Sequence, residues 1–493
     1  MLKTIAAHEW RLLRLDPATW ILCLLLVAAA GYAAWYGQTV VEAERAALAD
    51  LEQQQATALA QAKSRARELK ARLDGGLDIQ TLPMEERIAF VNGPMVPFYA
   101  QRTARFGIRP PAPLQVLSLG DDLEPPARSM AIDGLIYDVT AGDPTTNPLK
   151  LAVGQFDLTV VVLYLLPLIV IGLSHNVLTM ERESGILQLL LAQPVSVKTL
   201  FTGALLVRAL FVAAMLASLF LLTLFAAGID ASGASPARFG LWCAAVAGYA
   251  AFWFALAVFV GSRGGNALRN VSILCVCWLC AVVLLPRVIQ LVVVSAFPAP
   301  SQAEFIETLR TARDLATTDI PSATLVNEFF EKNPVFRHGA TESERAQREK
   351  AAFYMSRYDR IRREMRPLHE TTRAQLHKQD RLFRILRFLT PAAATERLIY
   401  DVTGAGPGRN RQFVEGIERV RRERQLFYWP MELDGVNITP EGYDRMPRYT
   451  FEEKPLATVL EQALAPLLAM LIVSAGLILA AIRRSKGQGF LTA

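Results

Sequence analysis

The chain has 493 residues, 52% hydrophobic and only 20% charged, with a mean hydropathy of +0.26. A soluble chain of this length would carry charge on nearer a quarter of its residues; apolar residues bunched into runs of about 20 exclude that class and point to membrane spans. The net charge of +6 and pI of about 9.1 do not indicate nucleic acid, because the arginines lie beside or between the apolar runs and no basic nucleic-acid-binding motif occurs.

Six runs are expected to span, at residues 18–36, 158–173, 200–227, 240–261, 271–297 and 456–482. The second is short and contains Pro167. The fifth is interrupted by Pro286–Arg287 and can be read as one span or as a span ending near 286 followed by an outer-surface helix. The short segments set orientation. Lys3, Arg11 and Arg14, then Arg182 and Lys198, then Arg263 and Arg269, then Arg483, Arg484 and Lys486 share one side, which the positive-inside rule makes cytoplasmic. Both termini are therefore expected in the cytoplasm. Residues 298–453 hold about half of the basic residues yet fall outside, as long loops cross largely regardless of charge.

In chain order, residues 1–17 read as an interfacial elbow helix, with Ile5, Trp10 and Leu13 set against Lys3, Arg11 and Arg14, and with Asp16–Pro17 turning the chain into the first span. A signal peptide is the rival reading, but the apolar run is long for one. Residues 37–157 form the first outside region. Helix formers dominate from Val40 to Asp74 and Gly75–Gly76 stops them, which predicts a stalk continuing span one, either a coiled coil or an amphipathic helix packed on its own domain. The strand-like runs "LQVLSL" and "AIDGLIYDV" then predict a small mixed α/β domain.

Between spans two and three, residues 174–199 contain "MERESGILQLLLAQPVS", Met180 to Ser196. Glu181 and Glu183 suit the positive end of a helix dipole; Leu187, Leu190 and Leu191 share a face; and Pro194 prevents continuation. The result is a short cytoplasmic knob suited to a protein groove. A helix lying on lipid is the alternative, though it would favour lysine and arginine over the acids that flank Arg182.

The second outside region, 298–455, reads as mainly helical. Its basic stretch "SERAQREKAAFYMSRYDRIRREMRPLHETTRAQLHKQDRLFRILRFL" is either a solvated face or a surface for anionic head groups, with Pro367 expected to kink or divide it. "HETTRAQLH" lacks zinc-protease spacing, and "GAGPGRN" lacks the Gly-Lys-Ser/Thr ending of a phosphate cradle. Cys23, Cys243, Cys275, Cys277 and Cys280 all fall in apolar runs and read as buried small residues rather than ligands. Residues 483–493 form a cytoplasmic tail. Two arginines fall within spans: Arg208, expected to snorkel toward the cytoplasm or face a pathway, and Arg287, near the outer half of span five, where it could meet anionic cargo or lipid phosphate or simply mark the surface.

An apolar span, then "ERESGILQLLLAQPVS", then a further span resembles the signature of ABC-2 type permeases, the membrane subunits of ATP-binding-cassette exporters. Glu181, Arg182, Glu183, Gly185, Leu187, Pro194, Val195 and Ser196 match the pattern, and Ile186 stands where threonine is usual. The upstream "NPLKLAVGQFDLTVVVLYLLPLIVIGLSHNVLTMERE" is similar to a subgroup with enlarged outer loops. The resemblance implies an all-α polytopic membrane protein with six transmembrane helices in the ABC-2 exporter arrangement and two sizeable extracytoplasmic insertions. It implies that 174–199 is a coupling helix docking on a separate ATPase, with Glu181 and Glu183 in polar contact and Leu187, Leu190 and Leu191 packing. It further implies two ATPase copies, a second permease chain in a homo- or heterodimer, a plasma membrane location (a bacterial inner membrane), and lipid but no nucleic acid as partner. The chain itself is then non-catalytic and binds no cofactor; ATP and Mg are used by the partner. The leading expectation is export of a substrate. Transmission of ATP-driven motion to the outer domains without transport, a receptor, and a membrane-embedded enzyme are the alternatives. A receptor should carry a cytoplasmic output domain and an enzyme a catalytic constellation, and neither is visible in the sequence.

Overall fold

The computed structural model describes residues 2–77, 81, 83–85, 95, 97–100, 103, 105–120, 129–131, 156–176, 183, 197–226, 228, 234–263, 265–317, 322–334 and 342–484. Almost all of them are helical, as suits an all-α polytopic membrane protein. Five helices are long and apolar enough to cross a bilayer, and a shorter apolar helix, Leu158–Ser174, accompanies them.

The elbow helix α1 (Leu2–Leu15) ends at Asp16, whose carboxylate accepts hydrogen bonds from the Ala18 N–H at 3.1 Å and the Thr19 hydroxyl at 2.9 Å. With Pro17 at the first helical position, this caps α2 (Pro17–Asp74). α2 runs unbroken for 58 residues, about 87 Å at 1.5 Å per residue, against a hydrocarbon core of about 30 Å. Its outer part is thus a stalk. The distal face of the stalk, Leu59, Ala62, Ala66, Leu69 and Leu73, packs on Tyr428, Ile438, Tyr443 and Met446 from the far end of the chain.

The bundle comprises α3 (Leu158–Ser174), α4 (Val197–Ala226), α5 (Ser235–Gly261), α6 (Ala267–Ala296) and a late helix, Leu456–Arg484. α5 lies at its centre, with Trp242, Tyr249 and Trp253 fully buried. Two of these helices contain π turns, Val161–Leu165 in α3 and Leu279–Leu284 in α6, each just before a proline, Pro167 and Pro286. A proline lacks the N–H that would bond a carbonyl one turn back, and the local widening accommodates its ring. The carbonyls near each proline find donors elsewhere. The Tyr249 hydroxyl donates to the Leu163 carbonyl at 3.0 Å, and the Thr390 hydroxyl donates to the Ala281 carbonyl. α6 continues past Pro286 to Ala296, and Arg287 is exposed, donating to Gln290 at 3.3 Å.

Beyond α6 come α7 (Gln302–Thr317), α8 (Ser322–Lys332), α9 (Glu342–Leu386), α10 (Pro391–Thr403), α11 (Pro407–Leu433) and α12, the Leu456–Arg484 helix. Pro367 lies inside α9, which it neither stops nor divides. α10 falls within the range 298–455 that the sequence places outside, yet Ala392, Leu398, Ile399 and Val402 belong to the same buried cluster as the spans. Thr390 caps α10 by accepting from the Ala392 N–H at 3.2 Å while its hydroxyl reaches Ala281. The chain therefore descends along α9, turns at a 3-10 segment, Arg387–Leu389, and returns through the bundle as α10.

Strand structure among the described residues is an antiparallel pair, Phe106–Ile108 with Ser129–Ala131. The strand expected in "LQVLSL" is instead a buried 3-10 turn, Gln115–Leu117, pressed against α2 where a Cβ on Gly37 would lie 2.3 Å from the Val116 carbonyl oxygen. The close approach explains the loss of strand form: this segment bonds to helices and to itself. Leu119 N–H donates to Asp157 at 3.0 Å, Gln115 to Glu44 at 3.0 Å, and Leu114 N–H to the Thr403 carbonyl at 3.3 Å. Of "AIDGLIYDV", only Ala131 lies among the described residues.

Candidate functional site

The segment between α3 and α4 is where the sequence concentrates its signal. Glu181, Arg182, Gly185, Leu187, Leu190, Leu191 and Pro194 lie outside the described residues; Glu183 and both roots of the segment are described.

The upstream root is held by Arg208. This arginine, on α4, is 6% exposed and its partner Glu9, on the elbow helix, is 2% exposed. Arg208 Nε lies 3.4 Å from Glu9 Oε2, and Nη1 donates to the Leu173 carbonyl at 3.0 Å and to the Asn176 side chain. Leu173 is in the last turn of α3, where carbonyls lack intrahelical donors and a cation complements the dipole. One guanidinium thus joins α1, α3 and α4 at the point where the chain leaves α3. Trp10 against Phe211, with ring centroids 6.2 Å apart, extends the same α1–α4 contact. This arginine reaches toward the elbow helix. Burial of Glu9 on the facing helix gives it a closer partner than bulk water.

Within the segment, Glu183 touches α6. Glu183 Oε1 accepts from the Ala267 N–H at 2.8 Å, and the Asn266 side chain accepts from the Arg269 N–H at 2.9 Å. Two acceptors therefore cover the first turn of α6, whose N–H groups have no partners within the helix. The sequence reading assigned Glu183 to an external partner; its carboxylate also meets the chain's own fifth span.

Sequence reasoning did not single out Glu9, Asn176, Tyr249 or Thr390. Glu9 had a visible signal, being the sole acid in an otherwise basic amphipathic helix. The others are common polar residues whose partners only the fold brings near.

Helices of membrane-spanning length around a buried core, an amphipathic elbow, and short connections at one end define a multi-pass α-helical membrane protein. Residues 3–484 match the family model described as ABC-2 family transporter protein, and the chain belongs to that family. No curated protein and no solved structure matches it. Membership makes the chain a permease of an ABC transporter, the membrane subunit rather than the catalytic one, associated with an ABC ATPase.

Proposed function

We propose that this chain couples ATP hydrolysis in its partner to outward movement of a substrate, with residues 174–199 as the coupling helix. The observation that carries the reading is the Arg208 junction. A push on the segment is delivered at once to α3, α4 and the elbow, and through Glu183 to the start of α6. A ligand or partner shifts a conformational equilibrium only through differential contact energy, and a stiff root is what lets such energy reach the spans. ATP and Mg act in the ATPase, of which two copies would serve two permease chains. The basic short segments favour cytoplasmic termini in a plasma membrane, of the bacterial inner type, with Leu158–Ser174 as the sixth span.

A second reading is supported by α2. A helix unbroken from bilayer to outer body transmits displacement without bending, so the ATP-driven motion can serve the outer domain itself rather than passage through the spans.

The test uses the permease–ATPase complex in nanodiscs. A spin label at the exposed stalk residue Gln53, in a cysteine-free background, reports stalk separation in a dimer with and without ATP and vanadate. We expect a nucleotide-dependent change in the unaltered chain, and its loss, with ATP turnover retained, when Glu181→Lys and Glu183→Lys are combined. A full-sized change in that double variant would remove the coupling role.

A further inference from the structure

The 3-10 turn between α9 and α10 carries a buried cation, Arg387. Arg387 is 8% exposed, its Nε is sealed from solvent without a hydrogen-bond partner, and among the described residues it makes no ion pair; its guanidinium lies over the Phe388 ring at 5.1 Å. The acids nearby are already engaged. Asp380 receives Arg397 at 3.1 Å, Arg411 at 3.2 Å and Arg384 at 3.3 Å, and Asp401 receives Arg397 at 3.2 Å. These two aspartates thus serve three other arginines, and although both also attract Arg387 from a distance, neither is paired with it. A buried cation without a partner is costly, and such a site favours an anion.

The level of this site on the bundle identifies the anion's source. Thr390, three residues on, bonds to Ala281, which lies fourteen residues into α6 or about 21 Å from its start. Gln379 bonds to the Phe297 carbonyl at the far end of α6 at 2.6 Å. Arg387 therefore falls just above the Ala281 level, close to the boundary of a hydrocarbon layer about 30 Å thick. Beside it, Ile385, Phe388 and Leu389 are 65%, 47% and 67% exposed, a set of apolar side chains suited to acyl chains rather than water. Arg384, with its side chain 55% exposed, opens the cluster to the outside.

We infer that Arg384 and Arg387 form a site for the phosphate of an anionic phospholipid, with Ile385, Phe388 and Leu389 against its acyl chains. The site holds the turn at the bilayer boundary and needs no ATPase, so its failure and that of the coupling reading are separable.

Native mass spectrometry of the full chain in detergent, titrated with phosphatidylglycerol or phosphatidylcholine, tests it. The unaltered chain is expected to retain phosphatidylglycerol preferentially. Arg387→Gln and Arg384→Gln should each weaken that retention about ten-fold, the scale of one charged hydrogen bond. Arg373→Gln, at an exposed ion pair higher on α9, should leave it unchanged. Equal retention of the two lipids by the unaltered chain overturns the proposal, as does normal retention by folded Arg387→Gln. Should Arg387→Gln not fold, normal retention by Arg384→Gln overturns it instead. Displacement of the lipid by excess inorganic phosphate would make this a free-anion site and overturn the lipid assignment; persistence of the lipid supports it.

Discussion

The bundle and the outer helical body solve the same problem by different means. The bundle has one contiguous apolar cluster, and some of its buried polar groups join one helix to another: Arg208 with Glu9, Tyr249 with Leu163, Thr390 with Ala281. The outer body has several small clusters and is laced with ion pairs, among them Arg366–Glu370, Arg373–Glu415 and Lys63–Asp444. Where water is absent, an unpaired charge or carbonyl is expensive, so each polar contact decides geometry. Where water is present, a lost pair is replaced by hydration and single contacts decide little.

That contrast should appear as a graded series in the unfolding of the purified protein in detergent. Arg208→Ala strands a buried Glu9 and should cost about 3–5 kcal/mol. Replacing the pair together, Glu9→Leu with Arg208→Met, should recover most of that stability while weakening the tie to Leu173 and Asn176. A double variant no better than Arg208→Ala would show that the carbonyl bonds, not the charges, hold the junction. Thr390→Val removes both the donor to the Ala281 carbonyl and the cap on the Ala392 N–H and should cost about 1–3 kcal/mol, despite conserving shape. A neutral result there would mean that neither the π turn before Pro286 nor the start of α10 depends on this hydroxyl.

Outside the membrane, the expected effects shrink and become dependent on pH. The hydrogen bond from His369 to Glu418, at 3.0 Å, holds the Glu418 carboxyl below its usual range; burial opposes the shift, and Arg373 and Arg422 add to it. A depressed carboxyl stabilises the fold above its ordinary value of about 4.3 and loses that contribution as pH falls through its lowered value. His369→Ala should therefore lower the unfolding temperature near neutrality and converge on the unaltered chain in acid. A gap that persists in acid would assign His369 a packing role instead. Smallest of all, Arg366→Ala breaks a pair whose side chains are 71% and 62% exposed and should shift stability by no more than about 0.5 kcal/mol. An effect as large as that of Thr390→Val would erase the distinction between the two regions.

Much of this contrast is legible in the amino acids. The apolar runs, the elbow, the capping Asp16–Pro17 pair and the stalk follow from composition and spacing, because membrane thickness and helix propensity act locally. The acid-headed "ERESGILQLLLAQPVS" similarly carries the resemblance that the family match supports. The two prolines announce disrupted hydrogen bonding in spans two and five, though not who repairs it. Arg208 shows what sequence leaves open. Its charge within an apolar run is plain, but its partner is Glu9, 199 residues away.

What the sequence determined by itself is therefore the membrane class, the order of helices and the place of the candidate coupling segment. Only tertiary structure decided that α10 returns into the bundle, that Tyr249 and Thr390 answer the proline-freed carbonyls across 86 and 109 residues, and that the Arg387 Nε is buried without a hydrogen-bond partner among the described residues. The reason is physical. Local periodicity records which residues avoid water, whereas the partner of a buried polar group is fixed by whichever distant helix packs against it.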